Sequence, residues 1–325
     1  MNIGNIILLA SALLLPSLAS CQDKAKMKFS VLVVDDEGNP VPNCEAGAII
    51  FDKSTNTRSG YKRTGKMTDA NGIASFELSS SHSRVSCGAK APEGYYRSYG
   101  GEFFFKDPIS GVWQPENKQF KVVLNKIKNP IAMYAVSVGM NGKVEIPAIG
   151  KPCGFDLMVS DWVAPHGKGK VSDLVFHFTK EERSRRDYDA KLTITFSNKG
   201  DGFVGIKAPF EKDQKSQLVM PYEAPKQGYQ SKIVKITHAK PGTATIAGYD
   251  KNQHYFLRVR TVLDKKGNVV SALYGKIQGD IQFWRSKVTR FTHYLNPTPN
   301  DRNVEFDPKK NLIDTGHRGH KVQSP

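Results

Sequence analysis

The sequence has a single long apolar run, few cysteines, and none of the short motifs that mark several familiar enzyme classes. Its 325 residues include four cysteines, with no Cys-x-x-Cys pair and no group of histidines and cysteines at zinc-ligand spacing. It has no Gly-x-x-x-x-Gly-Lys-Ser/Thr loop, no His-Glu-x-x-His motif and no Gly-x-Ser-x-Gly elbow. We therefore expect no structural zinc, no bound nucleotide, no other cofactor and no hydrolase centre of these types.

The apolar run, Ile6–Leu15, is too short to cross a bilayer, which needs about 20 apolar residues. It has the length of the hydrophobic region of a signal peptide. The residues that follow, Leu18-Ala19-Ser20-Cys21, resemble the lipobox of bacterial lipoproteins at every position. This resemblance implies a signal peptide over residues 1–20, lipidation of Cys21 and a lipidated tether over residues 21–28. Ordinary signal peptidase cleavage after Ala19 is the alternative, because Ser17 and Ala19 are small residues at the required positions.

The same resemblance implies an exported protein that faces the periplasm or the cell surface. Membrane lipid is then its first partner, through acyl chains on Cys21 that contribute about 0.8 kcal/mol per buried CH₂. Gln22 follows the cysteine, which by similarity to enterobacterial sorting permits an outer-membrane location.

From Phe29 onward, short β-rich runs alternate with turn residues. The segments FSVLVVDDEGNPVPNCEAGAIIFD, TDANGIASFEL and RVSCGAKAPEGYY resemble a carboxypeptidase-regulatory-like domain. The resemblance implies a small non-catalytic β-sandwich of transthyretin or immunoglobulin type over residues 29–127. Since both fall in this domain of an exported protein, we expect Cys44 and Cys87 to form a disulfide.

The region 128–295 is again a series of strand and turn signals. Its strongest element is a hairpin over Tyr255–Ile281, with Lys266-Gly267-Asn268 at the turn. The fold class we predict is all-β, with two tandem β-sandwich domains, immunoglobulin-like or jelly-roll-like, after the signal peptide. One charged patch, Lys180–Asp189, is compatible with a short helix. Residues 296–325 contain few apolar side chains and are predicted to form a loosely structured tail.

The segment Phe155–Lys170 is the most distinctive part of the second region. A tryptophan beside acidic residues and a histidine on a glycine-rich loop could form a platform for a sugar ring. The alternative, which we favour, is that the tryptophan belongs to the core and the Gly/Lys run is a wide turn. The candidate ligand-binding residues are Trp162, Asp156, Asp161, His166 and Asp173. No catalytic residue and no metal ligand is assigned.

The charge is unevenly distributed along the chain. Residues 22–127 contain 15 basic and 12 acidic side chains, whereas the remainder contains 32 basic and 19 acidic ones. A basic surface on the second region would attract polyanions. For an exported protein these are a glycan or another anionic cell-envelope polymer, and no nucleic acid is expected. The candidate basic patch consists of Arg183, Arg185, Arg186, Arg258, Arg260 and Arg285.

The function predicted on these grounds is that of a membrane-anchored, exported, non-catalytic lipoprotein. Its basic second domain would bind a carbohydrate or another cell-envelope ligand. One alternative is a glycan- or peptide-processing enzyme with its site in residues 155–177. Another is a structural or assembly protein that binds a protein partner through strand edges.

Overall fold

The computed structural model describes residues 24–51, 60–139, 144–208, 216–245, 248–285, 287–314, 316 and 321–325. The signal peptide and Cys21 lie outside these residues. The regular elements of the described residues are all β-strands, which confirms the predicted fold class. No helix in this part of the chain is long and apolar enough to span a membrane.

The first nine strands form a two-sheet β-sandwich, which we call the first domain. One sheet has the order β4-β1-β8-β7, with β9 also paired in parallel to β1, and the other has the order β3-β2-β5-β6. Buried and exposed side chains alternate along β1, as expected for a strand with one face on a core. The strands are β1 Ala25–Asp35, β2 Glu45–Phe51, β3 Tyr61–Met67, β4 Ile73–Ser80, β5 Arg84–Ala89, β6 Gly101–Phe104, β7 Lys106–Ile109, β8 Val112–Gln114 and β9 Lys118–Leu124.

Residues 25–28, which were predicted to be part of a tether over residues 21–28, belong to strand β1. Strand β1 begins at Ala25 and pairs with β4 from that residue onward. Met27 is fully buried in the sandwich core. The polar composition of residues 22–28 hid this alternation, because the lysines of the segment point to solvent while Ala25 and Met27 point inward.

The predicted disulfide between Cys44 and Cys87 is absent, and both residues are buried free thiols. The strand register explains why. Cys87 lies opposite Ala48 on β2, and Cys44 is four residues earlier in the chain. At about 3.3 Å per residue this offset is roughly 13 Å, whereas a disulfide requires Cα atoms within about 7 Å.

The second domain has a seven-stranded sheet with the order β16-β18-β19-β20-β10-β21, where β11 also pairs with β20. A five-stranded sheet with the order β13-β12-β14-β15-β17 packs on one of its faces. The strands are β10 Ile131–Val138, β11 Val144–Glu145, β12 Pro152–Asp156, β13 Asp161–Trp162, β14 Leu174–Ser184, β15 Asp187–Thr195, β16 Gly202–Lys207, β17 Lys232–Ala239, β18 Gln253–Leu263, β19 Val269–Phe283, β20 Val288–Leu295 and β21 Phe306–Asn311.

Two hairpins of this domain bear on the sequence predictions. Strands β18 and β19 form the predicted antiparallel hairpin, and Gly267 adopts a φ of 85° at its turn. The prediction of a possible short helix over Lys180–Asp189 is wrong. These residues form the end of the β14–β15 hairpin, where Glu181 pairs with Asp189. Its charged side chains are exposed because the hairpin extends beyond the core.

The prediction of a loosely structured tail over residues 296–325 is also wrong for most of that segment. Strand β21 pairs in parallel with β10, and Val304 and Phe306 are fully buried. The side-chain amide of Asn296 donates to Asp301 and to the carbonyl of Asn303, which closes the loop before β21. A small number of apolar residues suffices here because they cover the second face of the seven-stranded sheet and form a separate core with it.

The two domains meet at a buried carboxylate, Glu305, which is 1% exposed. It accepts hydrogen bonds from the Tyr96 hydroxyl at 2.7 Å, the Lys128 amide at 2.9 Å and the Asn129 amide at 2.6 Å. Burial and the contact with Glu305 raise the pKa of Tyr96, so its hydroxyl remains a donor. Tyr222 adds a bond from its hydroxyl to the Lys126 carbonyl at 2.7 Å. The connection between the domains is therefore fixed by specific hydrogen bonds.

Candidate functional site

Trp162 lies in the core between the two sheets of the second domain and is 7% exposed. Its ring packs edge-on against Phe155 at 5.2 Å and Phe176 at 5.4 Å between centroids. The face of the indole is therefore unavailable as a sugar platform, and the core alternative describes its position.

The neighbouring aspartates hold the core rather than a ligand. The Arg260 guanidinium binds Asp173 through two bonds, of 2.8 Å and 2.9 Å, and binds Asp156 at 3.0 Å. Burial alone would raise the pKa of Asp156, but hydrogen bonds from the amides of Lys170 and Val171, with the Arg260 charge, lower it overall. Both carboxylates are almost completely buried and engaged, so they offer no free acid or base.

Of the other two candidates of this segment, Asp161 is the first residue of β13 and His166 lies on the loop that connects β13 to β14. The Asp161 carboxylate accepts the amides of Trp162 at 2.8 Å and Lys168 at 3.0 Å. The His166 side chain is exposed. The segment is a wide turn that its own carboxylates stabilise.

A serine and a histidine that the sequence did not single out meet nearby. Ser160 Oγ lies 3.1 Å from His293 Nε2, a contact that resembles the nucleophile–base pair of hydrolases. However, complete burial lowers the pKa of His293 to about 3. A base with that pKa accepts a proton poorly near neutral pH, so this pair does not support an enzyme site at residues 155–177.

The six candidate arginines separate into two groups. Arg260 forms the buried ion pairs described above, and Arg258 donates two hydrogen bonds to the Gly200 carbonyl while lying 4.4 Å from the centroid of Tyr229. These two are structural. The remaining four, Arg183, Arg185, Arg186 and Arg285, come together at one end of the second domain.

Three chain segments form a cavity of about 480 Å³ at this end, which we call the cationic pocket. The β14–β15 turn contributes Arg185 and Arg186, the loop after β17 contributes Lys240, and the turn after β19 contributes Arg285. Tyr188 lines the cavity beside them, and the Arg285 guanidinium lies 5.9 Å from its ring centroid.

Positive charge in the cationic pocket is only partly neutralised. Arg183, next to the pocket, is paired with Asp187 and Asp189 at 2.7 Å each. Arg285 is paired with Glu182 at 2.8 Å. Among the described residues, no carboxylate lies within 4 Å of the three remaining cations, which are Arg185, Arg186 and Lys240.

A second cavity of about 290 Å³ adjoins the cationic pocket and shares Tyr188, Thr245 and Arg285 with it. We call it the aromatic pocket, since Tyr249, Phe283 and Trp284 complete much of its wall. Trp284 and Tyr249 are each 42% exposed. An exposed tryptophan beside unpaired cations is a typical arrangement for ligand binding.

Sequence reasoning found the arginines of this site but missed Lys240, Tyr249 and Trp284. Trp284 directly precedes Arg285, and an aromatic residue next to a basic cluster at a strand end was the available signal. Lys240 had none, because it joins the site only through the pairing of β17 with β15.

The first domain has a larger cavity, of about 1310 Å³, on the outer face of the sheet that contains β2. Its floor is a row of glycines in register, in which Gly47 pairs with both Gly65 and Gly88. Its walls include Arg63 and Lys90 together with Glu45 and Glu102, so charges of both signs line it. This mixture does not select a ligand of one charge, unlike the cationic pocket.

No family model and no curated protein matches this sequence. Solved structures that match include the major pilin BcpA of Bacillus cereus, at 12% identity, covering 88% of this chain and 97% of that one, with a TM-score of 0.25. The shaft pilin SpaA of Lactobacillus rhamnosus GG has 8% identity, covers 74% of this chain and 89% of its own, and has a TM-score of 0.21. A DUF3823 family protein of Parabacteroides merdae has 7% identity, covers 73% and 92%, and has a TM-score of 0.21. At these values the matches carry no argument about function.

Proposed function

We propose that this chain is an exported, membrane-anchored, non-catalytic protein whose second domain binds an anionic cell-envelope ligand in the cationic pocket. The observation that carries the proposal is the convergence of Arg185, Arg186 and Lys240 on one cavity without carboxylate partners among the described residues. The three cations repel one another when the pocket is empty. An anion that enters the pocket is attracted by all three of them at once. The attraction is screened by salt because the cations are exposed.

The test uses inorganic polyphosphate, which is anionic and has no ring. We expect the double variant Arg185→Gln/Arg186→Gln to bind it at least about tenfold more weakly than the parent chain at low salt. The matched control is Lys265→Gln/Lys266→Gln, which removes the same charge from the exposed β18–β19 turn. If both double variants lose affinity for polyphosphate equally, the binding depends on the net charge of the protein and not on the cationic pocket. If the parent chain binds no polyanion, the proposal is refuted.

Membrane anchoring is a separate part of the proposal and rests on the lipobox-like residues before Cys21. We expect Cys21→Ala to move the protein from the membrane fraction to the soluble fraction of its host. Ser20→Ala is a suitable control, because it keeps a small residue beside an intact cysteine. Unchanged membrane fractionation of Cys21→Ala would remove lipidation from the proposal.

We also propose that the first domain is a carboxypeptidase-regulatory-like module that does not take part in chemistry. Its two-sheet sandwich supports this, as does the Asp69 carboxylate, which accepts the amides of Asn71 and Ile73 at 2.9 Å each in the TDANG turn. The turn is thus stabilised by its own side chain and requires no bound ion.

A structural or assembly role is the second candidate, and the joint at Glu305 is the observation that favours it. A fixed joint presents both domains in one orientation, which a spacer or scaffold requires. Small-angle scattering of the chain with Glu305→Ala tests whether the joint sets this orientation. An unchanged scattering profile would argue against a scaffold that depends on it.

A further inference from the structure

Resting on the proposed function, we infer that the anionic ligand is an acidic saccharide. Its sugar ring occupies the aromatic pocket, and its carboxylate, sulfate or phosphate group lies in the cationic pocket. The site therefore recognises two parts of one ligand rather than charge alone.

The two cavities form one continuous site. They share Tyr188, Thr245 and Arg285, so a ligand in one pocket borders directly on the other. Together they fall within the roughly 300–1,000 Å³ of typical small-ligand sites. One sugar ring with a charged substituent matches this arrangement of an aromatic cavity beside a cationic one.

The lining of the aromatic pocket matches a sugar better than a lipid chain. Trp284 and Tyr249 supply ring faces, on which the C–H face of a pyranose packs. Thr237 and Gln282 line the same pocket and supply hydrogen-bonding groups, and a sugar ring has hydroxyls to match them. An acyl chain would leave those groups without partners, which is costly when they are covered.

The position of the site disfavours an extended peptide. The site is built from the β14–β15 turn, the start of β15, the ends of β17 and β19, and the loops after β17 and β19. A peptide added to a sheet needs the hydrogen-bonding groups along the length of a strand edge, whereas β17, the edge strand here, contributes only Thr237 and Ala239 to the site. A saccharide makes its contacts through ring faces and hydroxyls and needs no such edge.

The experiment compares a polygalacturonate oligomer, which carries one carboxylate on each ring, with inorganic polyphosphate of matched charge. Both are titrated into the full chain and into Trp284→Ala. We expect Trp284→Ala to weaken polygalacturonate binding at least about tenfold and to change polyphosphate binding less than about twofold. Tyr99→Ala, which removes an aromatic ring that is 56% exposed on the first domain, is the control and should change neither.

The outcomes separate this inference from the proposed function. If Trp284→Ala affects neither probe while Arg185→Gln/Arg186→Gln weakens both, the ring plays no part and the inference fails, but anion binding stands. If vesicles of phosphatidylglycerol bind and polygalacturonate does not, the ligand is a lipid headgroup and the inference fails. If the parent chain binds no polyanion at all, the proposed function fails with it. A circular dichroism spectrum and melting temperature like those of the parent confirm that Trp284→Ala is folded.

Discussion

Lys276 allows a quantitative test of how the second domain is packed. Its side chain is fully buried on the face of the seven-stranded sheet that the C-terminal segment covers. The Lys276 Nζ donates to the main-chain oxygen of Pro325 at 3.0 Å and lies 4.7 Å from the ring centroid of Tyr294. Burial lowers the pKa of Lys276 from 10.5 to about 7, although the charge of Glu305 opposes this shift.

This shift makes the stability of the domain depend on pH. The folded state binds fewer protons than the unfolded state between the two pKa values, so the free energy of unfolding falls as the pH falls from 10.5 to about 7. At 1.36 kcal/mol per unit of pKa, the full effect is about 5 kcal/mol. Above pH 10.5 the contribution is constant, because the amine is neutral in both states.

The variant Lys276→Met keeps an unbranched side chain, one heavy atom shorter, and removes the titrating group. We expect the difference in unfolding free energy between the parent and this variant to change by about 1.4 kcal/mol per pH unit from pH 7.5 to 9.5. Loss of the bond to Pro325 adds an offset that is independent of pH. Denaturant unfolding followed by tryptophan fluorescence measures both terms.

Lys265→Met is the control, since Lys265 is exposed on the β18–β19 turn and its removal should add no such slope. Other titrating groups are common to parent and variant and cancel in the difference. A difference for Lys276→Met that stays constant across this pH range would show that the amine is solvated, and the packing of the C-terminal segment over it would be refuted.

Four further predictions follow from buried polar groups and thiols. Arg260→Met should destabilise the second domain by about 3–5 kcal/mol, because it leaves two buried carboxylates without their cation, and a loss below about 1 kcal/mol in urea unfolding would contradict this. Cys44 and Cys87 should each be alkylated once in denaturant without reductant, whereas a protein mass lower by two hydrogens would reveal a disulfide. In the native protein Cys87 should react slowly, because burial raises its pKa to about 12. Glu305→Ala should separate the unfolding of the two domains into two calorimetric transitions, and a single unchanged transition would show that Glu305 does not couple them.

The fold class was predictable because strand signals are local. Alternation in β1 and the Gly267 turn of the β18–β19 hairpin each depend on a few neighbouring residues. The errors arose where distant segments determined the outcome. Residues 296–311 look polar, yet Phe306 is buried because β10 offers a sheet edge and an uncovered face. Nothing within the segment itself indicates that face.

The candidate site shows the same division. The sequence identified basic residues in the second region, but it could not separate Arg260, which neutralises buried aspartates, from Arg185 and Arg186, which face a cavity. That distinction depends on which carboxylates lie within hydrogen-bonding distance after folding. It is a property of strand register rather than of composition.

The sequence by itself determined that the chain is all-β, that its excess positive charge belongs to the second region, and that its first residues resemble an export signal. These features follow from local alternation, residue counts and a short contiguous motif. Only the tertiary structure decided that Trp162 is core, that Cys44 and Cys87 lie too far apart to pair, and that Lys240 and Trp284 join the arginines. The physical reason is that each of these outcomes depends on strand pairing between segments far apart in the chain, which brings together residues that local patterns treat as unrelated.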